Sequence, residues 1–304
     1  MRHCDQEEGI QVDQCMLHAV LSNATHPEYG AVTLPFPIPR EDFGHCIELL
    51  EALEIGKVST QDCHVDEINS KWPILGRLEG TNVDLDELDY LAKRLDSFDD
   101  GEATQFQAMT EALDLTDMKD LINLTFCCQQ TTVITDFSDL ETVGRDHYMN
   151  THGGCARVQE LEALDGTETA ILLIDGGGGR VTRYGVVYDN GMKLDQSYDG
   201  RHFPGYLYEP PMLMVALTSR MEPEDTKNIT WLYLPAAKEQ LKRGMGRSGI
   251  DDPENMRFRF VECMFPDEIK AVLDFQSDPL FSLNELAQTC LLYTSDAADE
   301  RSSV

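Results

Sequence analysis

The chain has 304 residues, with 55 Asp and Glu against 24 Lys and Arg and a formal net charge of −31 at pH 7. That balance repels nucleic acid and anionic membrane and favours basic protein partners. A 41% hydrophobic content excludes an acidic disordered polymer, and no run of 18 apolar residues is available for a transmembrane helix.

Residues 1–15 read as an N-terminal extension. Met1 to Ile10 carries Asp5, Glu7 and Glu8 and no apolar stretch, unlike a secretory signal. Nine scattered cysteines, an odd number with no Cys-x-x-Cys pair, fit a reducing compartment, so a cytoplasmic location is expected. Residues 16–80 read as a first α+β unit of strand, strand, helix, strand. Val32-Thr-Leu-Pro-Phe-Pro37 is its strand closed by proline, and a helix over residues 41–53 follows.

Residues 81–150 read as an acidic helical unit, and residues 81–120 alone hold 12 acids and 3 bases. Leu85, Leu88, Leu91, Ala92 and Leu95 recur at helix spacing and predict one apolar stripe. Asp84 suits the N-cap, and Asp86 and Glu87 suit the positive end of the helix dipole. Asp89, Lys93, Arg94 and Asp96 lie off the stripe and are expected to face solvent. After a turn at Asp99-Asp100-Gly101, a second helix over about residues 102–113 is expected to bury Phe106, Met109 and Leu113. A third starts at Thr116 and turns Met118, Leu121 and Ile122 inward. Ser138-Asp-Leu-Glu141 has the capping-box pattern and opens a short helix through Tyr148.

Residues 155–209 read as a β-rich module. Ala170-Ile-Leu-Leu-Ile174 is a short apolar strand, Asp175-Gly-Gly-Gly-Gly179 a turn, Val181 to Tyr188 a second strand and Asp189-Asn-Gly191 a hairpin turn. Tyr184, Tyr188, Tyr198, Phe203, Tyr206 and Tyr208 give it an aromatic content. Residues 212–290 repeat the first unit at a spacing of about 200 residues. Thr230-Trp-Leu-Tyr-Leu-Pro235 resembles the first proline-closed strand, with a helix over residues 236–243. Met214-Val-Ala-Leu-Thr218 resembles His18-Ala-Val-Leu-Ser22. Glu262 to Ile269 resembles Asp62 to Ile68, and Leu283-Asn-Glu-Leu286 resembles Leu85-Asp-Glu-Leu88. The second copy stops short of a counterpart to residues 106–148. Leu292 to Glu300 looks like translated sequencing adapter, so residues 291–304 are set aside and a longer natural chain is expected.

The fold class read from this order is α+β, with two related α+β units, an attached acidic helical unit and a β-rich module between. Familiar reactive motifs are absent. The four glycines lack the Lys-Ser/Thr of a phosphate loop. His45-Cys46 and Cys63-His64 are adjacent pairs, poor geometry for zinc, and Asp84-x-Asp86 lacks the Gly and closing Glu of a calcium loop. No cofactor is expected. Lys238, Lys242, Arg243 and Arg247 form the only cationic cluster, read as a helix end and its turn.

Residues 27–150 carry 26 acids against 8 bases, over half the net charge in under half the length. A solvated helix surface is the ordinary reading of such a run, but here the bases are too few to pair with the acids. Lys119-Asp-Leu-Ile-Asn-Leu-Thr125, then Val133-Ile-Thr-Asp-Phe-Ser-Asp-Leu-Glu-Thr-Val-Gly144 with Tyr148, resembles the ArdA antirestriction family. The resemblance covers residues 16–150 and, more faintly, 212–286; the central module is outside the compact family form.

The resemblance implies a non-enzymatic protein of mobile elements: an elongated acidic dimer shaped like bent B-form DNA that fills the DNA-binding groove of a type I restriction-modification enzyme. The acids placed in that role are Asp84, Asp86, Glu87, Asp89, Asp96, Asp99, Asp100, Glu102, Glu111, Asp114, Asp117 and Asp120, with Asp136, Asp139, Glu141 and Asp146 around the motif. A general acidic interaction protein with some other basic partner is the alternative. An enzyme seated in the central module, around Asp175, Asp189 and His202, is a third reading that requires a pocket collecting those groups.

Overall fold

The computed structural model describes residues 15–205, 211–220, 229–271, 273 and 279–302, with side chains described as far as Leu291. The N-terminal extension up to Gln14, together with Tyr206 and Tyr208, lies outside the described residues. The fold is α+β.

Strands β1 (Leu17–Ser22) and β2 (Ala31–Phe36), helix α1 (Phe43–Ala52), strand β3 (Cys63–Ser70) and the short β4 (Asn82–Val83) come first. They make an antiparallel sheet in the order β2-β1-β3-β4. Helix α1 lays Phe43, Cys46, Ile47 and Leu50 into the core. Helix α2 (Leu85–Asp96) adds the leucine stripe, every member of which is fully buried. Helices α3 (Asp100–Ala112) and α4 (Met118–Leu124) close the same core. Trp72 sits in it against Phe98 and Phe106, with ring centroids 6.2 and 5.9 Å away.

Each helix start in the acidic unit is written by an aspartate. Asp84, Asp99, Asp117 and Asp139 accept backbone N–H groups at the starts of α2, α3, α4 and α5 (Leu140–Thr151). Such a cap satisfies an orphan donor and is worth about 1 kcal/mol. For α5 the cap is Asp139, accepting from Thr142, and not the expected Ser138, whose hydroxyl and N–H are taken by Asp136.

The central segment differs from the expected β-rich module. It opens with helices α6 (Val158–Ala163) and α7 (Gly166–Asp175), and the apolar run 170–174 lies in α7. A five-residue apolar run does not distinguish strand from helix; Asp165, accepting from Glu168 N, starts the helix, and Ala170 is its buried face. The expected strand 181–188 is a hairpin of β6 (Arg180–Thr182) and β7 (Gly185–Tyr188), turned at Arg183-Tyr184. Asn190 and Gly191 adopt the left-handed turn (φ 52° and 78°), but residues 192–205 after them form no strand. Strand β7 pairs with β5 (Thr132–Ile134) of the acidic unit in a sheet ordered β5-β7-β6, so this segment is built onto the first half and is not a separate module.

Helices α5 and α7 cross at Gly144 and Gly166. A Cβ on Gly144 would overlap the Gly166 carbonyl, which accounts for the glycine that ends the family-like motif. Gly144→Ala should force the helices apart and lower the unfolding free energy by about 1–3 kcal/mol, the usual cost of overpacking, read as a lower urea midpoint.

The second half has β8 (Leu213–Ser219), β9 (Thr230–Leu234), α8 (Lys238–Arg247), β10 (Met256–Cys263), the short α9 (Asp267–Lys270) and α10 (Leu280–Ser302). Its antiparallel sheet is ordered β10-β8-β9, the arrangement of β3-β1-β2 in the first half. The peptides Phe36-Pro37 and Leu234-Pro235 are both cis. The third strand bulges in each: Asp66 is skipped between Val65↔Leu21 and Glu67↔Val20, and Val261 between Phe260↔Val215 and Glu262↔Met214. Asp89 accepts Ile38 N at 2.7 Å just past one cis-proline, and Asn284 accepts Ala236 N at 2.8 Å just past the other.

These matches correct the sequence register. Asn284 corresponds to Asp89 and Leu283 to Leu88, almost one helical turn from the Leu-Asp-Glu-Leu alignment. Leu213 and Leu17 hold the same place opposite the residues that precede the cis-prolines, which matches Phe258 with Val65 and Glu262 with Asn69. Glu262 to Ile269 is therefore not the counterpart of Asp62 to Ile68, and the two bulges lie two residues apart. The second half has its own core, built from Leu213, Val215, Leu217, Leu234, Leu241 and Leu283 among others.

Candidate functional site

Seven of the sixteen acids named from sequence are exposed: Asp99, Asp100, Asp114, Asp117, Asp136, Asp139 and Asp146. Asp96, Glu102, Glu111, Asp120 and Glu141 are half-buried. Asp114 pairs with Arg77 at 2.7 Å, Glu111 with Arg183 at 3.1 Å and Glu141 with Arg145 at 2.7 Å. Among the described residues no ion pair involves Asp99, Asp100, Asp117, Asp120, Asp136, Asp139 or Asp146. Several of these carboxylates are held in place by the caps they form: Asp99 by Glu102 N at 2.8 Å, Asp117 by Lys119 N at 3.0 Å, Asp139 by Thr142 Oγ1 at 2.7 Å. Ser138 and Thr142, donating to Asp136 and Asp139, hold both carboxyls below the usual range, so their charge persists into mild acid. Burial pushes the Asp146 carboxyl up, with Asp139 adding to it.

The other four acids are corrected. Asp84, Glu87 and Asp89 are buried and Asp86 nearly so, all taken up inside the protein. Asp89 was expected to face solvent; its position leans instead toward the loop after β2, where it accepts Ile38 N, and Lys93 covers it at 2.6 Å. The rest meet two arginines of α8. Asp86 bridges Arg243 Nε at 2.5 Å and Arg247 Nε at 2.9 Å, while Asp84 takes Arg247 Nη2 at 2.5 Å. Arg243 Nη1 also donates to Gly56 O at 2.7 Å.

Side-chain exposure is 3% for Arg247 and 5% for Asp84, so this is an interior ion-pair network. Burial alone would raise the Asp86 carboxyl, but Arg243 and Arg247 outweigh it and hold it low. Asp84 has one arginine, and burial leaves its carboxyl raised. Glu87 has none: burial pushes it up to about 7, against the Tyr198 hydroxyl that donates to it at 2.7 Å.

Arg243 and Arg247 were read as a helix end and its turn. Helix α8 instead continues through Gly244 and Gly246, because Gly244 lets it approach Leu232 of β9 where a Cβ would crowd the side chain. The two arginines therefore stand one turn apart on one face, while Lys238 and Lys242 stay exposed. Four-residue spacing of buried-type arginines across those glycines was the available signal. The end of the central segment completes the junction: Phe203 stacks on Tyr90 at 4.5 Å and Tyr198 at 5.0 Å, and the Arg247 guanidinium lies over it at 4.4 Å. A cavity of about 530 Å³ opens beside it, lined from both halves by Pro37, Tyr90, Lys93, Trp231 and Pro235 among others.

No family model, curated protein or solved structure matches this chain. Function therefore rests on the residues themselves. Asp175, Asp189 and His202 are not brought together: His202 Nδ1 meets Asp199 at 3.0 Å, and Asp175 and Asp189 are exposed at the ends of α7 and β7. Among the described residues no group of three or more His, Cys, Asp or Glu is placed to hold a metal ion, and no helix is long and apolar enough to cross a membrane.

Proposed function

We propose that this chain is a non-enzymatic inhibitor that presents fixed carboxylates, in place of DNA phosphates, to the DNA-binding groove of a type I restriction-modification enzyme. One observation carries the reading: seven carboxylates with no basic partner among the described residues, at the starts and outer faces of α3, α4 and α5. DNA-binding grooves draw much of their affinity from Lys and Arg contacts to phosphate. Carboxylates held by rigid helices engage the same bases while offering no base edges, so the inhibition is blind to recognition sequence. The resemblance of residues 119–144 to antirestriction proteins supports the same reading.

The test converts Asp99, Asp100, Asp117, Asp136, Asp139 and Asp146 to Asn together. The variant should keep its circular dichroism, lose protection of DNA against a type I enzyme and no longer displace a labelled duplex from it. Each single change should cost little, and affinity of the parent should fall steeply with salt. A folded six-site variant that protects DNA as well as the parent would sink the proposal.

A further inference from the structure

The two halves do not share a hydrophobic core. One cluster runs through β1, β3, α1 to α4, Val187 and Tyr198; a second runs through β8, β9, α8 and α10. Where the halves meet, apolar packing leaves the 530 Å³ cavity. Apolar contact across the boundary includes Ala237 against the first cluster and Gly246 beside Val58. Beside the cavity the crossing contacts are polar and directional: Asp86 held between Arg243 and Arg247, Asp84 on Arg247, and Arg243 on the Gly56 carbonyl. The central segment braces it, with Arg201 Nε donating to Arg247 O at 2.9 Å and Arg247 Nη1 to Arg201 O at 3.2 Å. A chain with 24 bases for 55 acids thus commits two of them to its interior.

A guanidinium pair of this kind contributes little net stability compared with apolar packing, but it specifies one geometry. Both halves also carry exposed acids: Asp99 and Asp117 on the first, Asp251, Glu254 and Asp267 on the second. We propose that Arg243 and Arg247 are positioning residues that lock the second half onto the start of α2, so that the carboxylates of both halves are presented as one rigid surface. The inference rests on the inhibitor reading only for its last clause; the lock itself is a property of the free protein.

The experiment uses the full chain carrying D84N, D86N, R243M and R247M together. This removes the lock without leaving a buried charge, and Asn keeps the α2 cap. Expected results are a folded protein by circular dichroism, splitting of one urea transition into two, and a larger radius of gyration by small-angle scattering. Against a purified type I enzyme the slope of log Kd on log salt should become shallower, since fewer charges engage at once; a purely stabilising role would leave that slope unchanged.

A single transition with an unchanged radius and slope would overturn the proposal. So would loss of the folded state, because each half has its own core and a lock between them is not needed to form either. If the parent chain itself does not displace DNA from the enzyme, the inhibitor reading fails, while scattering and unfolding still decide the lock.

Discussion

Arg247→Met should lower the unfolding free energy by about 3–5 kcal/mol, the cost of stranding buried charges whose partner is gone. Arg247 is the sole arginine on Asp84 and one of two on Asp86, and the Met chain fills the space without replacing the charge. Asp84, already raised by burial, loses what holds it down and takes up a proton more readily. A carboxyl raised above its unfolded value stabilises the fold at low pH and loses that contribution as pH rises. The gap between parent and variant should therefore be widest near pH 8 and narrow toward pH 5, as measured by urea unfolding. Adding Asp84→Asn should recover part of the loss, because the two sites share one interaction. A gap of the same size at both pH values would show that packing around the Met, and not stranded charge, sets the cost.

Glu87 should make the protein lose stability as pH rises from about 5 to 8. Its carboxyl sits near 7 in the fold against an ordinary 4.5, and only 4% of the residue is exposed. The contribution is fully present below the unfolded value, declines through 7 and is gone above it. Glu87→Gln removes the titration and keeps an acceptor for the Tyr198 hydroxyl. It should match the parent near pH 5 and exceed it by up to about 3 kcal/mol near pH 8.5, the equivalent of that displacement at 1.36 kcal/mol per pH unit. Parallel stability profiles for the two proteins would show that Glu87 is not the titrating group.

Much of the fold was legible because it was written locally. The Leu85–Leu95 stripe has helix period, Asp84 and Asp99 lie where caps belong, and the proline-closed strands repeat. The apolar run 170–174 is too short to carry a usable period, and the signal that makes it a helix is the capping Asp165 before it. Glycines 244 and 246 suggest a helix end, although their use is close approach, Gly244 to Leu232 and Gly246 to Val58. The site divided along the same line. The cap roles of Asp99, Asp117 and Asp139 are local, but exposure is not set by the cap position, since Asp84 caps α2 in the same way and is buried. The burial of Asp84, Asp86 and Glu87 depends on partners more than 100 residues away, in α8 and at Tyr198, which no local pattern encodes. Asp89 had the right neighbours in sequence but leans on a loop 51 residues before it.

The placement of the two tryptophans has a practical consequence. Trp72 lies within the first core and Trp231 on β9, one indole in each half of the molecule. Intrinsic fluorescence thus carries a separate reporter for each half, and replacing either indole by Phe isolates the other. The loosening of one half can be followed optically while the other stays silent, with no label attached to a surface whose charge is the property under study.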